Sequence, residues 1–377
     1  MPVKVSTNSK QSAIKLIEQC ELDFNSSIQL SEDSNNFIRY LAGSTKEECL
    51  SEIEQGFENI TGDWCFLFTG QGAQTPKMMY SLYETLPIYK KYIDRCCEIY
   101  EKIFSQSLKQ VLLTENEEIN QTQWTQPALF AVEYSMAMHW IESGLKPKYV
   151  LGHSVGEYPA AVIAEIMSLE TGIELIGNRG MLMQSINSSG SMAAVMADLA
   201  TTKTIASDLG LDIAGINSVK QTVISGDTDK IKKFIELAKL QKIKARELTV
   251  SHAFHSSHME AILPEYVKVA NQHMFKISKE CSLISNISGE ILSEVPDGAY
   301  WASHIRKPVN FVDGIQTAAK LVDNFLEVGP HPVLSGLGAK TITNAKNWLA
   351  SYSNNKNLNT YNDTYAKLAN SKLIKNS

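Results

Sequence analysis

Short apolar runs alternate with longer amphipathic stretches from about residue 63 onward. The run Trp64–Phe68 is wholly apolar and ends in a glycine turn, which predicts a buried strand. Stretches at 83–104 and 128–143 have helical periodicity, and residues 149–151, 282–287 and 324–328 predict further core strands. Strands that alternate with helices in this way are typical of a parallel α/β sheet.

The pattern changes to shorter elements after residue 190. Strands are predicted at 192–196, 213–217, 223–225 and 245–250, with helices near 201–208 and 227–240 between them. This β-α-β-β-α-β order is that of the split βαβ unit. The predicted fold class is therefore α/β: an α/β-hydrolase-like core with a parallel sheet (63–190 and 257–345) and an inserted ferredoxin-like small subdomain (191–256).

The two ends of the chain are more polar. Residues 1–62 contain two amphipathic stretches: one carries Ile14, Ile17 and Cys20, and the other starts at the capping-box pair Thr45 and Glu48. They predict a helical, linker-like segment that serves docking rather than catalysis. Residues 346–377 are rich in Asn and Lys and weakly patterned, which predicts a linker-like tail that wraps the surface or stays loose.

Composition narrows the class of protein. The chain has 377 residues and a net charge of -6, which argues against nucleic acid as a partner. No apolar window approaches a membrane span, and the polar N-terminus lacks the core of a signal peptide. The six cysteines form no C-x-x-C pair, so we expect free thiols and a cytoplasmic location.

A candidate nucleophile follows the strand at 149–151. Ser154 lies in Gly-His-Ser-Val-Gly, between an apolar run and a helix-compatible stretch. This order predicts a strand-to-helix elbow that exposes the serine hydroxyl. Gly152 and Gly156 are expected to be glycines because side chains there would collide. The alternative is that Gly-x-Ser-x-Gly occurs here by chance.

A serine nucleophile needs a base, and His255 is the candidate because it follows a predicted strand. His153 is the competitor, although neighbouring side chains on an elbow diverge. The spacing of His252, His255 and His258 also permits a metal site, but no adjacent carboxylate or cysteine adds ligands, so no metal is predicted. Asp227 and Asp229 fall in a turn, which leaves no clear carboxylate to complete a triad.

Eight short motifs follow one another along the chain between residues 68 and 330. They are Phe68-Thr-Gly-Gln-Gly-Ala-Gln74, Gln126-Pro-Ala-Leu-Phe130, Gly152-His-Ser-Val-Gly-Glu157, Asn178-Arg-Gly-x-Leu-Met183, Gly190-Ser-Met-Ala-Ala-Val195, Asn217, His252-Ala-Phe-His-Ser256 and Glu327-Val-Gly-Pro330. Over residues 63–345 the chain resembles malonyl-CoA:acyl-carrier-protein transacylases, most closely the acyltransferase domains of polyketide synthases. Residues 1–60 and the stretch from Trp348 resemble the linkers that flank such domains.

The resemblance implies roles for the reacting groups. Ser154 would attack the thioester of malonyl-CoA, and His255 would act as base and then as acid. Backbone N–H groups of Gln71 and Val155 would hold the oxyanion, for about 3–4 kcal/mol per donor. A purely structural turn at Gln71 is the alternative. The backbone carbonyl of Asn310 would orient His255.

The resemblance also implies residues that select the substrate. Arg179 would bind the malonyl carboxylate, since a guanidinium grips a carboxylate bidentately; a surface arginine is the alternative. Phe254 would leave little room for a branch at the α-carbon, and this would disfavour an extra methyl group by about 1–3 kcal/mol. The alternative is that Phe254 only fills the core. The remaining pocket candidates are Gln126, His153, Met192 and Asn217.

The resulting expectation is a ping-pong malonyltransferase with no tightly bound cofactor. Malonyl-CoA would load Ser154, and the phosphopantetheine thiol of an acyl carrier protein would take the group. Partners would be that carrier and ketosynthase or other synthase modules, met through a basic patch to which Arg306, Lys307 or Lys340 could contribute. The rival classes are an editing hydrolase, a lipase-type α/β-hydrolase and a non-catalytic docking subunit.

Overall fold

The computed structural model describes residues 2–7, 9–20, 29–31, 37–43, 45–56, 59–187, 190–345, 347–356 and 358–374. The strands of these residues are β1 (Val3–Thr7), β2 (Gln29–Ser31), β3 (Phe37–Leu41), β4 (Trp64–Phe68), β5 (Tyr149–Gly152), β6 (Gly190–Val195), β7 (Asp212–Ser218), β8 (Gln221–Asp227), β9 (Ala245–Glu247), β10 (Ser282–Ile284), β11 (Asn324–Val328) and β12 (Asn347–Ala350).

The helices of the described residues are α1 (Lys10–Glu18), α2 (Lys46–Gln55), α3 (Tyr80–Thr85), α4 (Pro87–Phe104), α5 (Leu108–Leu113), α6 (Thr122–Ser143), α7 (Glu157–Ile163), α8 (Leu169–Gln184), α9 (Leu199–Asp208), α10 (Thr228–Leu240), α11 (Leu263–Ala270), α12 (Gly298–Arg306), α13 (Phe311–Ala319), α14 (Leu334–Thr341) and α15 (Leu358–Asn370). Short 3-10 turns cover Glu117–Asn120, Ser154–Gly156 and Ser257–Ile262.

A five-stranded parallel sheet in the order β10-β5-β4-β11-β12 forms the large unit. Strand β4 is buried along its whole length, which explains its unbroken apolar run. Phe66 and Phe68 face one apolar cluster, and Cys65 and Leu67 face another on the opposite side. The parallel α/β core predicted from the sequence is confirmed.

The small unit is an antiparallel sheet in the order β7-β8-β6-β9, with α9 and α10 in the two connections. Ala193 and Val195 on β6 pack against Ile231 and Phe234 of α10. The helices therefore cover one face of this sheet. The predicted ferredoxin-like insertion into the α/β core is confirmed.

The N-terminal segment differs from its prediction. Helices α1 and α2 are present, and Thr45 and Glu48 form the predicted capping box. The segment also contains a three-stranded sheet, β2-β1-β3, which the prediction of a helical segment omitted. The alternation that builds β1 is visible in Val3 and Val5, which are both buried.

The C-terminal segment is packed against the rest of the fold, so the expectation of a loose tail is wrong. Strand β12 pairs in parallel with β11 at the edge of the large sheet. On α15, Tyr361 is buried and its hydroxyl lies 3.0 Å from His139 Nε2 of α6. Asn359 and Lys367 are exposed on this helix, while Tyr361, Tyr365 and Leu368 are buried.

Two properties of the described residues bear on the class of protein. None of their helices is long and apolar enough to cross a membrane. All six cysteines are buried and free.

Candidate active site

The nucleophile lies on a tight elbow between β5 and α7. Ser154 has a φ of 51°, a left-handed conformation that only a constrained backbone keeps in a non-glycine residue. A Cβ on Gly152 would lie 2.1 Å from the backbone nitrogen of Glu157, and one on Gly156 would lie 2.3 Å from the carbonyl oxygen of Phe68. The prediction that both positions require glycine because of crowding is confirmed.

Asn286 holds this elbow, and the sequence analysis did not find it. Its Oδ1 accepts the backbone N–H of Ser154 at 2.7 Å, and its Nδ2 donates to the carbonyl of Gly152 at 2.7 Å. Strand β10 pairs with β5 and ends at Ile284, so the register brings Asn286 level with the nucleophile. The signal that was available is a polar residue just past the carboxyl end of a neighbouring parallel strand.

Ser154 and His255 are in direct contact. The Oγ of Ser154 lies 2.8 Å from Nε2 of His255. The other ring nitrogen, Nδ1, lies 2.8 Å from the carbonyl oxygen of Lys307. Because a carbonyl only accepts, Nδ1 carries the proton, and Nε2 presents its lone pair to the serine hydroxyl.

The assignment of the orienting carbonyl to Asn310 is therefore wrong, since the acceptor is Lys307. Helix α12 ends before Lys307, and Pro308 cannot continue it, so the Lys307 carbonyl is free to point at the imidazole. The Asn310 carbonyl instead accepts the N–H of Gly314 at 3.2 Å and opens α13.

The imidazole of His255 is kept neutral. Its pKa is lowered to about 3, first by burial and then by the positive charge of Arg179, against the raising effect of the Lys307 carbonyl. A neutral imidazole is the form that can take a proton from the serine.

Arg179 lies beside the nucleophile on α8 and is 1% exposed. Its Nη2 donates to Ser154 Oγ at 3.0 Å, and its Nη1 donates to Gln126 Oε1 at 2.7 Å. Both acceptors are neutral, and Nε has no hydrogen-bond partner among the described residues. The site therefore holds a buried cation without a carboxylate bound to it, an arrangement that favours an anionic ligand.

Glu157, behind the elbow, is the nearby acid. Its Oε2 accepts the backbone N–H of Asn286 at 2.6 Å, its Oε1 accepts the hydroxyl of Tyr300, and His304 Nε2 lies 3.7 Å from Oε2. Burial raises the pKa of Glu157 to about 7, although the Tyr300 hydrogen bond acts in the opposite direction. A carboxyl that is partly protonated at neutral pH offsets the Arg179 charge only in part.

A cavity of about 330 Å³ opens above these groups. It is lined by every candidate pocket residue from the sequence: Gln126, His153, Met192, Asn217 and Phe254. The Nε2 of His153 lies 2.9 Å from Asn217 Oδ1, whereas the histidine that contacts Ser154 is His255. Gln71 lines the same cavity and Val155 is buried directly after the nucleophile, so their roles as oxyanion donors stay predictions.

His252, His258 and Asp227, which the sequence analysis also considered, have partners other than Ser154. His258 Nε2 pairs with Asp227 Oδ1 at 2.9 Å, and His252 Nε2 lies 3.1 Å from the carbonyl of Ile186. Within the part of the chain that the structure describes, no three His, Cys, Asp or Glu side chains gather as metal ligands.

The arrangement as a whole suits nucleophilic catalysis on an anionic substrate. The hydroxyl, its base and a buried guanidinium converge at one end of a partly apolar cavity. All three were predicted from the sequence, and the structure places the base and the guanidinium within 3.0 Å of the serine oxygen.

Comparison with known sequences identifies a protein family and curated relatives to which this chain is similar. The model of a family described as the acyl transferase domain matches residues 65–364. The chain is 32% identical over 321 residues to polyketide synthase GfsA of Streptomyces halstedii. That match covers 82% of this chain and 4% of GfsA, so the chain spans only a small part of this curated relative.

Solved structures agree on the fold. The acyltransferase domain from the second module of the salinomycin polyketide synthase is similar, with a TM-score of 0.78, 31% identity, and coverage of 82% of this chain and 74% of that one. Malonyl CoA-acyl carrier protein transacylase from Clostridium perfringens matches with a TM-score of 0.75 and 26% identity, over 83% of this chain and 99% of that one.

Proposed function

Because the chain belongs to the acyl transferase domain family, we propose that it moves a malonyl group from malonyl-CoA to the phosphopantetheine thiol of an acyl carrier protein. The group travels as an ester of Ser154. The relatives are polyketide synthases, which supports a carrier protein and ketosynthase or other synthase modules as partners in polyketide or fatty-acid synthesis.

The choice of a malonyl donor depends on Arg179. Its buried guanidinium donates to two neutral oxygens and binds no carboxylate among the described residues. A substrate carboxylate would supply the missing counter-charge, and a guanidinium offers it two parallel donors. An acetyl group cannot do this, so a selective binding energy is available only to an acyl group with a free acid.

The position of Arg179 also limits the length of the acyl group. Its Nη2 is at hydrogen-bond distance from the oxygen that would attack the thioester. In a malonyl group a single methylene separates the thioester carbonyl from the carboxylate, so both ends reach their partners. Longer diacids such as succinyl would have to displace the guanidinium.

The proton transfers follow from the dyad. His255 Nε2 takes the hydroxyl proton as Ser154 Oγ bonds to the thioester carbon, and the tetrahedral intermediate then breaks its C–S bond. The departing CoA thiolate takes that proton from His255. In the second half, His255 deprotonates the carrier thiol, the sulfur attacks the malonyl ester, and Ser154 leaves as its alcohol. Backbone N–H groups of Gln71 and Val155 would stabilise both oxyanions.

Intact-mass measurement tests this proposal. The protein is mixed with malonyl-, methylmalonyl- or acetyl-CoA, and Ser154→Ala is the control. We expect a malonyl adduct on the wild type, a weaker methylmalonyl adduct, little acetyl adduct and none on the variant. Equal labelling by acetyl-CoA would remove the role of Arg179.

Addition of a phosphopantetheinylated carrier protein separates transfer from editing hydrolysis. A transferase moves the malonyl group to the carrier, whereas a hydrolase releases malonate at the same rate with or without it. Predominant release of malonate would favour the hydrolase.

A further inference from the structure

One face of the small sheet lines the cavity, and that face carries a second arginine. Arg246, Leu248 and Val250 alternate along β9 and its extension, and all three line the cavity. Arg246 pairs with Ala194 on β6, whereas the neighbours Ala193 and Val195 pack under the helices. Because successive strand residues point to opposite faces, Arg246 lies on the cavity side of this sheet.

The charges around the cavity are of one sign. Among the described residues that line it, the charged ones are Arg179 and Arg246, and none is Asp or Glu. Arg179 is buried next to Ser154, while Arg246 is exposed and makes no ion pair with another described residue. Arg306, one of the basic residues suggested by the sequence, is already paired with Asp212 at 3.1 Å and Glu260 at 2.9 Å.

A donor with an anion at each end fits this distribution. The malonyl carboxylate is one anion, and the other is the phosphate at the far end of the uncharged pantetheine arm. We propose that Arg246 binds this phosphate, which CoA and the arm of a carrier protein share. The inference rests on the proposed function and adds a second anionic contact to it.

The contact is at an exposed position, so its strength is limited. Exposed ion pairs contribute up to about 1 kcal/mol, which corresponds to roughly a fivefold change in a binding constant. Salt screens such pairs, and about 0.5 M salt should remove most of the effect.

Three donors test the assignment: malonyl-CoA, malonyl-4'-phosphopantetheine and malonyl-pantetheine, which has no phosphate. The measured quantity is kcat/KM for acylation of Ser154, in the wild type and in Arg246→Gln. We expect the substitution to lower kcat/KM about fivefold for the two phosphorylated donors and to leave malonyl-pantetheine unchanged.

Lys233→Gln is the matched control, because Lys233 is exposed on α10, on the opposite side of the small sheet. It removes the same charge from the same subdomain and should affect the three donors equally and little. Arg246→Lys keeps the positive charge and should lower kcat/KM for the phosphorylated donors by less than Arg246→Gln does.

The other possible results would overturn either the assignment of Arg246 or the proposed function. An equal loss for all three donors, or no loss for any, would overturn the proposal. A loss with malonyl-CoA alone would place the contact on the nucleotide phosphates and overturn the assignment to the shared phosphate. Failure of the wild type to load from any malonyl donor would overturn the proposed function, and that failure differs from loading without an Arg246 effect.

Discussion

Asn286 provides the sharpest mutational test of the elbow. The change Asn286→Ala removes both side-chain hydrogen bonds to the elbow, the one from Ser154 N–H and the one to the Gly152 carbonyl, each 2.7 Å long. The backbone contacts of Asn286, with Glu157 Oε2 and with the N–H of Asn310, are independent of the side chain. The substitution therefore removes the support of the Ser154 backbone but leaves the backbone contacts that follow strand β10 in place.

The magnitude follows from burial. Asn286 is 1% exposed, so each backbone group that loses its partner costs about 1–3 kcal/mol, or about 2–6 kcal/mol for the two. Part of this loss lowers stability. The rest releases the left-handed backbone of Ser154, and a displacement of about 1 Å at a reacting atom costs roughly a hundredfold in rate.

Two assays separate these effects: the melting temperature, and the rate of Ser154 labelling by a fluorophosphonate. The reagent needs the nucleophile and its base but no malonyl recognition. We expect Asn286→Ala to label roughly a hundredfold more slowly at a temperature where it is fully folded. Asn286→Asp should regain activity relative to wild type as pH falls, because the neutral acid can again donate to Gly152.

The matched control is Asn310→Ala. Its Nδ2 bonds Asp313 at 2.7 Å and its side chain contacts neither Ser154 nor His255, so this variant should label almost as fast as the wild type. Labelling of folded Asn286→Ala at the wild-type rate would show that Asn286 does not hold Ser154 in its reactive position.

Three further predictions concern the pocket, the base and the tail. Phe254→Ala should raise methylmalonyl loading relative to malonyl loading about tenfold in competition, since removal of a buried ring opens space beside the α-carbon; an unchanged ratio would make Phe254 core filler. A pKa lowered to about 3 leaves the His255 base form intact on acidification, so kcat/KM for loading should stay flat from about pH 8 to about pH 5. A fall centred near 6.5, the ordinary value, would contradict this. Deletion of residues 347–374 removes β12 and the buried face of α15. It should lower the free energy of unfolding by several kcal/mol, or prevent the protein from being obtained in soluble form. An unchanged denaturation midpoint would contradict this prediction.

Local signals in the sequence were sufficient for the elbow and the small sheet. Around Ser154 an apolar strand, two glycines and a helix lie within a few residues, and the crowding that requires those glycines acts over the same distance. The β-α-β-β-α-β alternation is also local. His255 was predicted from its place after a predicted strand and Arg179 from a family resemblance, and the geometry now supplies their distances to the nucleophile.

Contacts between distant segments could not be predicted in this way. Asn286 is 132 residues from Ser154, and only the pairing of β10 with β5 brings the two together. The family resemblance assigned the orienting carbonyl to Asn310, but the carbonyl that reaches the imidazole is that of Lys307, directly after the end of α12. Strand β12 has an apolar run of only three residues (348–350) among polar ones, which is too short to predict a strand without its pairing to β11.

A rapid-quench measurement of acyl-enzyme formation by the wild type and by Arg179→Met tests whether the buried guanidinium selects a malonyl group for Ser154. Malonyl-CoA and acetyl-CoA are compared, and peptide mapping locates the label. We expect malonyl to load on Ser154 of the wild type, and Arg179→Met to lose malonyl loading by at least about a hundredfold while acetyl loading is maintained or increased. A malonyl label on another residue, or an unchanged preference for malonyl in Arg179→Met, would contradict this expectation.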